Sequence, residues 1–593
     1  MAPLSALAAL LPGIPLTPPP PLPPTAPAPS LQRRVAPTPS SQLRGSSISI
    51  NGIRQQALWL EEGGELWLPL EVLEDQLGVN RSSRANGSIE LAWFGQTVVL
   101  PADRQRSLED EVAVPVSGLI EAVGVNVRRA GGELKLELPS RPLQAIRSRD
   151  QGISGRRVVF DLSAPALVRQ SDRGLLISAE ATRPQLEQLK RLGLSPTQSK
   201  GWLGLQIPQE GERLSLGGPW RLVLDLPAAE GSSVAAAPAE PERDPRLIAL
   251  KKQGLQLERR IGRIGSRQVL INSVRLDPRQ VPLDLRPLNR RDGMQGLSSL
   301  SQLARQEEAL IAINGGYFNR VNRLPLGAMR EQGRWLSGPI LNRGAAGWSS
   351  GGLPSFDRLM LVESIEDSHR RRWPIASVNS GYVQKGLARY TADWGSRYQP
   401  ITGSEMGVLV RNGTVNERYE LGQLRAGVPL KEGDLLLVAR GGMSVPWQTG
   451  EQLTLQSRAS SSVGEKPNVL GGGPLLLKDG RVVLNGTAEG FSSGFIGQGA
   501  PRTVIGSDGR QLWLITLQGV NNPGPTLMET ALLMRQEGLR DALNLDGGSS
   551  TGLVVADVHT VKGRGVAASV HNGLGLVPRD ATPTQRAMVT GSP

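Results

Sequence analysis

The sequence predicts an α+β, multidomain protein in which a small duplicated α+β module and a β-rich module precede a large C-terminal domain built on a mixed sheet. Its 593 residues far exceed the ~250–300 at which one hydrophobic core stops growing. The 71 Gly and 45 Pro favour short strands and turns over long helices. An internal repeat near the N-terminus marks the first folded part.

The composition excludes several kinds of site. Cysteine is absent, so disulfides, thiolate metal sites, Fe–S clusters and cysteine nucleophiles are excluded. The chain has three histidines, which argues against a His-rich zinc site, because such sites usually need two or three converging imidazoles. We therefore predict no cofactor and no set of metal ligands, and leave open only an oxygen-ligated divalent cation.

The formal net charge of +13 comes from arginines that are spread along the chain. A diffuse positive field favours anionic partners such as wall polymers, phosphoglycans and lipid head groups. The sequence has no basic cluster interleaved with aromatic residues and no nucleic-acid-binding motif. We therefore expect no nucleic-acid partner.

The N-terminus, Met1 to Pro12, is similar to the apolar region of a signal peptide without its basic start. We expect export to a periplasmic or secreted, envelope-associated location; a Pro/Ala leader is the alternative. No run of about 18 apolar residues predicts a transmembrane segment. Residues 1–45, rich in Pro, Ala, Ser and Thr from residue 12 onward, are predicted to be a tether, and residues 580–593 a disordered tail.

Residues 46–140 contain the repeat. Its two copies align so that Pro69 matches Pro115 and Gly78 matches Gly124. Each copy predicts a strand that ends at the proline, then a short helix, then a glycine that closes the helix. The module resembles the copper amine oxidase N-terminal-like domain, which carries no copper chemistry in such arrangements. A purely structural duplicated unit is the alternative.

Residues 141–227 contain two similar strands, Arg157–Leu162 and Arg221–Leu226, in which charged and apolar side chains alternate. This alternation is typical of half-buried strands. The segment resembles AMIN-type modules, which implies binding to a cell-wall or envelope polymer. An Ala/Pro/Glu-rich linker, residues 228–244, separates it from the C-terminal domain, residues 245–579.

The C-terminal domain contains two junctions of the same layout: a capped helix, a short apolar strand, then a polar residue followed by Gly-Gly. The first, the asparagine junction (residues 314–318), reads Asn-Gly-Gly-Tyr-Phe and follows a cap signature at Ser299. The second, the aspartate junction (residues 546–551), reads Asp-Gly-Gly-Ser-Ser-Thr and follows one at Thr526.

Each junction predicts a polar side chain at the rim of a sheet, with glycines that leave the next backbone amides open to a ligand. Such a rim can hold a polar substrate. The alternative is a pair of tight turns that the topology alone requires.

Five short segments, taken in order, resemble the motif series of the phosphodiester glycosidases. They are Ala312–Phe318, Leu470–Leu475, Pro501–Gly506, Ile515–Gly519 and Leu543–Thr551. The resemblance covers over half of the chain. It departs from the common pattern at two places: two glycines follow Asp546 where three are frequent, and Val566–Asn572 replaces a stretch that usually contains Pro-Asn.

The resemblance implies a hydrolase that cleaves a glycosidic or sugar-1-phosphodiester bond in a cell-envelope glycan or exopolysaccharide. An acidic phosphate leaves readily, so the harder task is to stabilise an oxocarbenium-like centre and deliver water, which calls for a carboxylate at the anomeric carbon. Asp546 is the first choice for that carboxylate. Arg502 is the candidate for holding the phosphate, and Glu489 or Asp508 for a second carboxylate.

The remaining candidates are polar groups that would contact sugar hydroxyls or phosphate, together with an aromatic platform at Tyr317 or Phe318. The predicted substrate-binding residues are Asn314, Gly315, Gly316, Tyr317, Asn544, Gly547, Gly548, Ser549, Ser550, Thr551 and His571. An aromatic side chain beside Gly-Gly is more often part of a core, and a lone histidine is more often merely hydrogen-bonded.

Two other functions fit parts of the sequence. Residues 490–494 match G-x-S-x-G, and Ser492, an aspartate and His571 follow the chain order of α/β-hydrolases. However, the helix breakers after Ser492 argue against a nucleophile elbow. The other alternative is a non-catalytic envelope glycan-binding or wall-organising protein, which the two N-terminal modules fit as well as they fit an enzyme.

Overall fold

The computed structural model describes residues 42–83, 88–108, 111–150, 156–171, 174–207, 212–226, 244–382, 385–564 and 567–579. The signal-like leader, nearly all of the tether and linker, and the C-terminal tail lie outside the described residues. The described chain is rich in β-strands and its helices are short. It is therefore mainly β rather than an even α+β mixture, and none of its described helices has the length and apolar character needed to cross a membrane.

The N-terminal module consists of two copies, and the strands that end at Pro69 and Pro115 pair antiparallel in one sheet. Strand β3 ends at Pro69 and a π-helical segment follows, closed by Gly78 at φ 85°. Strand β8 ends at Pro115 and helix α1 follows, closed by Gly124 at φ 86°. This confirms the predicted local structure of both copies. The elements are β1 Leu43–Ile50, β2 Ile53–Glu62, β3 Glu65–Pro69, π-helix Val72–Leu77, β4 Asn80–Ser83, β5 Ile89–Trp93, β6 Gln96–Leu100, β7 Arg106–Leu108, β8 Glu111–Pro115, α1 Ser117–Val123, β9 Asn126–Ala130 and β10 Glu133–Glu137.

The second module contains two sheets, with strand orders β15-β11-β12-β19-β18 and β13-β14-β17-β16. The two strands that alternate in the sequence, β12 and β19, are antiparallel neighbours. The elements are β11 Arg141–Asp150, β12 Arg156–Leu162, β13 Val168–Ser171, β14 Gly174–Ile177, β15 Ala179–Glu180, α2 Arg183–Arg191, β16 Ser195–Ser199, β17 Trp202–Gln206, β18 Glu212–Leu216 and β19 Arg221–Leu226.

One hydrophobic core joins the two N-terminal modules. It includes Leu68 and Val114 from the repeat and Phe160 and Leu222 from the second module, all at most 1% exposed. The two predicted segments therefore pack together as a single body.

The C-terminal domain is larger and also dominated by strands. Its helices are α3 Pro245–Lys252, α4 Leu300–Gln306, α5 Leu421–Arg425, α6 Ser493–Gly497 and α7 Leu527–Gln536. Its strands are β20 Gln256–Ile264, β21 Arg267–Leu276, β22 Leu283–Asn289, β23 Ser298–Ser299, β24 Ile311–Asn314, β25 Phe318–Asn319, β26 Leu324–Pro325, β27 Met329–Glu331, β28 Arg334–Ser337, β29 Gly344–Trp348, β30 Ser355–Arg358, β31 Leu361–Asp367, β32 Arg372–Val378, β33 Gly386–Tyr390, β34 Arg397–Tyr398, β35 Glu405–Arg411, β36 Thr414–Tyr419, β37 Val428–Pro429, β38 Leu435–Arg440, β39 Leu453–Ala459, β40 Asn468–Gly471, β41 Leu475–Lys478, β42 Arg481–Val482, β43 Arg502–Ser507, β44 Leu512–Gly519, β45 Asp541–Asn544, β46 Gly552–Val555, β47 Val558–Lys562, β48 Ser569–Val570 and β49 Asn572–Pro578.

The two sheets that carry the junctions are antiparallel throughout. One has the order β20-β21-β44-β43-β45-β41-β42 and the other β22-β49-β24-β46-β47. Among the paired strands described in this domain, β32 and β33 are the ones that run parallel. The mixed character that we expected thus belongs to a third sheet, which lies outside both junctions.

Both junctions begin as the sequence predicts. The hydroxyl of Ser299 caps α4 by accepting from the Gln302 N–H at 3.2 Å, and Thr526 caps α7 through a capping box with Glu529. Strands β24 and β45 follow, and their residues Ile313 and Leu543 belong to one shared core. That core fixes the positions of the two strand ends from which the polar residues project.

Candidate active site

The two junctions meet directly. The Asn314 side-chain amide donates to the Asp546 carbonyl at 2.7 Å, and the Asp546 N–H donates to the Gly315 carbonyl at 2.9 Å. These bonds connect residues that are 232 positions apart in the chain. Two buried strand ends from different sheets are thereby locked side by side.

Asn314 is fully buried, and its contacts are to the protein itself. Its side-chain oxygen accepts from the Thr503 hydroxyl at 2.7 Å and from the Gly552 N–H at 3.1 Å. A buried amide with each of its polar atoms hydrogen-bonded acts as a brace. Asn314 therefore holds the aspartate junction in place, and its side chain is not presented to a ligand.

The glycines of the asparagine junction are required by close packing. The N–H groups of Gly315 and Gly316 donate to the backbone and side-chain oxygens of Asn572, at 2.9 and 2.7 Å. A Cβ on Gly315 would overlap Asn572, and one on Gly316 would lie 2.5 Å from the Gly471 carbonyl oxygen. The expectation that these amides are open to a ligand is therefore wrong for this structure.

The glycines of the aspartate junction lie against the start of β43. The Gly548 N–H donates to the Pro501 carbonyl at 2.9 Å, and a Cβ on Gly547 would lie 2.8 Å from the same oxygen. The Gly547 N–H donates to the Asp546 carboxylate at 3.0 Å. The structure thus brings Asp546, Arg502 and Asn314 together, although the amides of both junctions are occupied.

Asp546 presents the acidic group of the site. Its side chain is 15% exposed, and one carboxylate oxygen lies 3.9 Å from a terminal nitrogen of Arg320. A partly exposed carboxylate beside a buried cation is accessible to a substrate. This arrangement suits the stabilisation of a positive centre on a substrate.

Arg320 is a residue that the sequence analysis missed. Its side chain is 11% exposed, and its Nη2 donates to the Ser550 hydroxyl at 3.0 Å and to the Ser549 hydroxyl at 3.4 Å. The guanidinium lies 4.8 Å from the centre of the Phe318 ring. Burial lowers the pKa of Arg320, and the nearby Asp546 carboxylate opposes that shift. Arg320 lies just beyond the family-like motif, where no spacing rule points to it.

Arg502 is completely buried at the start of β43. It donates to the Gln498 carbonyl at 2.7 Å and to the Pro525 carbonyl at 3.3 Å, and it stacks 5.4 Å over the Phe495 ring. These contacts fix two loops next to the aspartate junction. They are those of a residue that shapes the site.

Glu489 is also fully buried, and both carboxylate oxygens bind protein groups. They accept from Arg358 Nε at 2.9 Å, from the Gly344 N–H at 2.8 Å and from the Leu475 N–H at 3.1 Å. A carboxylate with this many donors is held in place. These contacts favour a structural role for Glu489 over a position at the reacting carbon.

Tyr317 links the two junctions through its hydroxyl group. The hydroxyl donates to the Gly473 carbonyl at 2.7 Å and accepts from the Asn544 side-chain amide at 2.8 Å. The centre of its ring lies 5.5 Å from the centre of the Phe491 ring and 6.0 Å from that of Phe495. Burial raises the pKa of Tyr317, and the negative charge of Asp546 raises it further. Tyr317 thus belongs to a buried aromatic cluster, and Thr551 is buried nearby.

His571 supports the asparagine junction through its neighbour Asn572. Its Nε2 donates to the Met294 carbonyl at 2.8 Å, and its Nδ1 lies 3.2 Å from the amide nitrogen of Asn572. Burial lowers the pKa of His571 to about 4. Both ring nitrogens are therefore engaged, and the neutral ring helps to orient the residue that binds Gly315 and Gly316.

These contacts do not favour a serine-hydrolase site. Ser492 caps the short helix α6, where its hydroxyl accepts from the Phe495 N–H at 3.2 Å. A helix does follow Ser492, contrary to our expectation, but His571 bonds elsewhere. Asp508 closes a turn by accepting from the N–H groups of Arg510 and Gln511. Within the described residues, no group of three or more His, Asp or Glu is arranged to hold a metal ion.

Comparison with known proteins identifies relatives of this chain. A family model described as phosphodiester glycosidase matches residues 375–577, which include Arg502, Asn544 and Asp546. The crystal structure of a hypothetical protein from Synechocystis is 31% identical, with a TM-score of 0.53, and the match covers 90% of this chain and 99% of that one. No curated protein is a detectable match.

Two other solved structures are more distant. A protein from Burkholderia pseudomallei K96243 is 16% identical over 74% of this chain and 99% of its own, with a TM-score of 0.43. The catalytic domain of zebrafish N-acetylglucosamine-1-phosphodiester alpha-N-acetylglucosaminidase, auto-inhibited by its pro-peptide, is 14% identical over 55% and 83%, with a TM-score of 0.30. From the family match and the Synechocystis relative, the chain belongs to the phosphodiester glycosidase family.

Proposed function

We propose that this member of the phosphodiester glycosidase family hydrolyses a glycosidic or sugar-1-phosphodiester bond in a cell-envelope glycan or exopolysaccharide. The observation that carries the proposal is the Asp546 carboxylate, which is 15% exposed and borders the buried guanidinium of Arg320. A carboxylate and a cation side by side match the two charges that develop when a sugar separates from its phosphate.

In this mechanism the leaving phosphate takes the bonding electrons, and the anomeric carbon becomes oxocarbenium-like. The Asp546 carboxylate stabilises that positive centre while water adds to it, and the proton that the added water loses passes to solvent. Arg502 acts as a positioning residue, because its bonds to the Gln498 and Pro525 carbonyls fix the loops around the aspartate junction. Glu489 stays outside the reacting centre, in keeping with its buried hydrogen bonds.

Release of sugar from a panel of sugar-1-phosphodiesters and chromogenic glycosides tests the proposal on the full chain. We expect turnover by the native protein and a loss of about 10³-fold in kcat/KM for Asp546→Asn. Asp541→Asn is the matched control, because Asp541 lies at the start of β45, the strand that Asp546 follows, and accepts from the Asp479 N–H. Equal activity of the two variants would refute the role of Asp546.

The second candidate function is binding of an envelope glycan without turnover. The net charge of +13 and the two N-terminal modules are compatible with an anionic polymer as ligand. This alternative would be favoured over hydrolysis by two results together. The protein is retained on purified wall material, and neither the native protein nor Asp546→Asn releases sugar.

The cellular location follows the same proposal. The apolar segment at residues 1–12 suits an exported protein that acts on a surface glycan. Fractionation of cells that produce the full chain, followed by detection of the protein in periplasm and medium, tests this part separately.

A further inference from the structure

A carboxylate of the N-terminal module reaches the candidate active site. Glu71 lies between β3 and the π-helical segment and forms an ion pair with Nη1 of Arg320. It also accepts a hydrogen bond from the Ser549 hydroxyl at 3.0 Å. The Glu71 side chain is 15% exposed. Two carboxylates, Glu71 and Asp546, thus approach the two terminal nitrogens of the same guanidinium.

The groups that hold Glu71 form the donor set that an oxyanion prefers. Arg320 offers a planar, charged fork, and its position is fixed by the Ser550 hydroxyl at 3.0 Å and by the Phe318 ring. Ser549 adds a hydroxyl donor on the same side. Arginine and hydroxyl donors of this kind bind phosphate oxygens in the same way as they bind carboxylate oxygens. The Glu71 carboxylate therefore binds to a donor set that also suits a phosphate group.

The fold of the repeat does not require a glutamate at this position. By alignment of Pro69 with Pro115, the residue that matches Glu71 in the second copy is Ser117. The Ser117 hydroxyl accepts from the Leu66 N–H at 2.7 Å, within its own module. The first copy instead directs its side chain outward to Arg320 in the C-terminal domain.

Further contacts between the module and the C-terminal domain are ionic as well. Glu74 pairs with Arg323, and Glu111 lies 3.4 Å from Arg564, with the acid on the module and the arginine on the C-terminal domain in both pairs. Val321 adds apolar packing. The net stability that these pairs add is small, because Arg323 is 38% exposed and because desolvation offsets much of the Coulombic attraction of the more buried pairs. A phosphate ligand can therefore replace the module's carboxylate at modest cost.

An open cleft leads to this position. It has a volume of about 760 Å³, and its lining includes Glu71 together with Arg290, Arg291, Arg305 and Arg323. Glu71 is among the residues that line the cleft, whereas Arg320 and Asp546 are not. An anionic glycan that enters along the arginines reaches the Glu71 carboxylate in the lining of the cleft.

We propose that Arg320, Ser549 and Ser550 form the phosphate subsite of the active site, and that Glu71 fills this subsite so that the docked module and a phosphate-bearing sugar compete for it. The proposal rests on the proposed function for the identity of the sugar ligand. The subsite itself is defined by phosphate chemistry, which inorganic phosphate and a sugar 1-phosphate share.

Calorimetric titration of the full chain with inorganic phosphate and with a sugar 1-phosphate tests the proposal without turnover. We expect Glu71→Gln to bind the sugar 1-phosphate at least about tenfold more tightly than the native protein. Adding Arg320→Gln to Glu71→Gln should abolish that gain. Glu61→Gln is the matched control, since Glu61 lies on the same module and pairs with Arg129.

Binding by Glu71→Gln that is no tighter than native, or a gain that survives the added Arg320→Gln, would overturn the subsite. Ser550→Ala in the native background keeps the test valid if Glu71→Gln folds poorly, because it removes a subsite hydroxyl that does not contact Glu71; we expect weaker phosphate binding. A fall in kcat for Glu71→Gln with unchanged binding would instead make Glu71 a catalytic partner and also overturn competition.

Failure of the subsite is distinguishable from failure of the proposed hydrolysis. A protein that binds the sugar 1-phosphate through Arg320 but never releases sugar supports the subsite and refutes the enzyme. If the enzyme is active but its affinity for phosphate is unchanged by substitution of Glu71 and of Arg320, the subsite alone is refuted.

Discussion

The asparagine junction and the aspartate junction have the same sequence layout but present their polar side chains differently. Asn314 is 0% exposed and gives its hydrogen bonds to Asp546, Thr503 and Gly552. The Asp546 side chain is 15% exposed and faces Arg320. A strand end followed by glycines thus determines where a polar group stands. The neighbouring strands determine whether it braces the fold or contacts a ligand.

The largest difference should appear in stability. We expect Asn314→Ala to lower the free energy of unfolding by about 3 kcal/mol, because the Asp546 carbonyl, the Thr503 hydroxyl and the Gly552 N–H lose a buried partner. Asp546→Asn should change it by less than about 1 kcal/mol, since a partly exposed carboxylate 3.9 Å from its cation contributes little. Urea denaturation measures both. Equal losses would remove the distinction between brace and reactive group.

The second expected effect is a dependence of stability on pH, which arises at the asparagine junction. Burial lowers the pKa of His571 from 6.5 to about 4, so between these values the unfolded chain binds a proton that the folded chain does not. The free energy of unfolding is therefore highest above pH 6.5, where His571 is neutral in both states, and it decreases as the pH falls from 6.5 toward 4. Relative to pH 7.5, the loss at pH 5 should be about 2 kcal/mol.

Denaturant titrations at pH 7.5 and pH 5 measure this loss, and His571→Gln supplies the control because glutamine does not titrate. Acid should loosen the asparagine junction, which His571 supports through Asn572. If His571→Gln lost as much stability between these two pH values as the native protein, the sensitivity would lie outside this junction.

The smallest effect concerns the link between the junctions. Tyr317→Phe removes a hydroxyl that bonds the Gly473 carbonyl and the Asn544 amide. The Asn544 amide keeps bonds to the Gly473 and Leu545 carbonyls, so we expect a loss of about 1 kcal/mol. Thermal unfolding monitored by calorimetry tests this value, and an unchanged melting temperature would show that the Tyr317 hydroxyl adds no stability to the link between the two sheets.

Local features of the fold followed well from the sequence. The caps at Ser299 and Thr526 and the closing glycines Gly78 and Gly124 lie where the sequence predicted them, because each depends on a few adjacent residues. The family and the neighbourhood of Asp546 with Arg502 also followed from short motifs. Sheet pairing did not, since antiparallel and parallel partners depend on contacts between distant segments.

Within the site, the sequence identified positions better than roles. It singled out Asn314, Gly315 and Gly316 for a ligand, but Asn572, which was not singled out, occupies both glycine amides. Arg320 and Glu71 were missed because their importance arises from docking of one module on another. No pattern within either segment indicates that the two side chains meet.

The single hydrophobic core beneath the two N-terminal modules gives the proposed competition a kinetic character. If Glu71 leaves Arg320 by undocking of its module, the module carries its neighbour along through that core. Collective displacements of whole domains occur on the order of microseconds to milliseconds. Admission of a phosphorylated sugar would then be governed by the opening of this body, and its association rate would level off at high ligand concentration instead of rising in proportion.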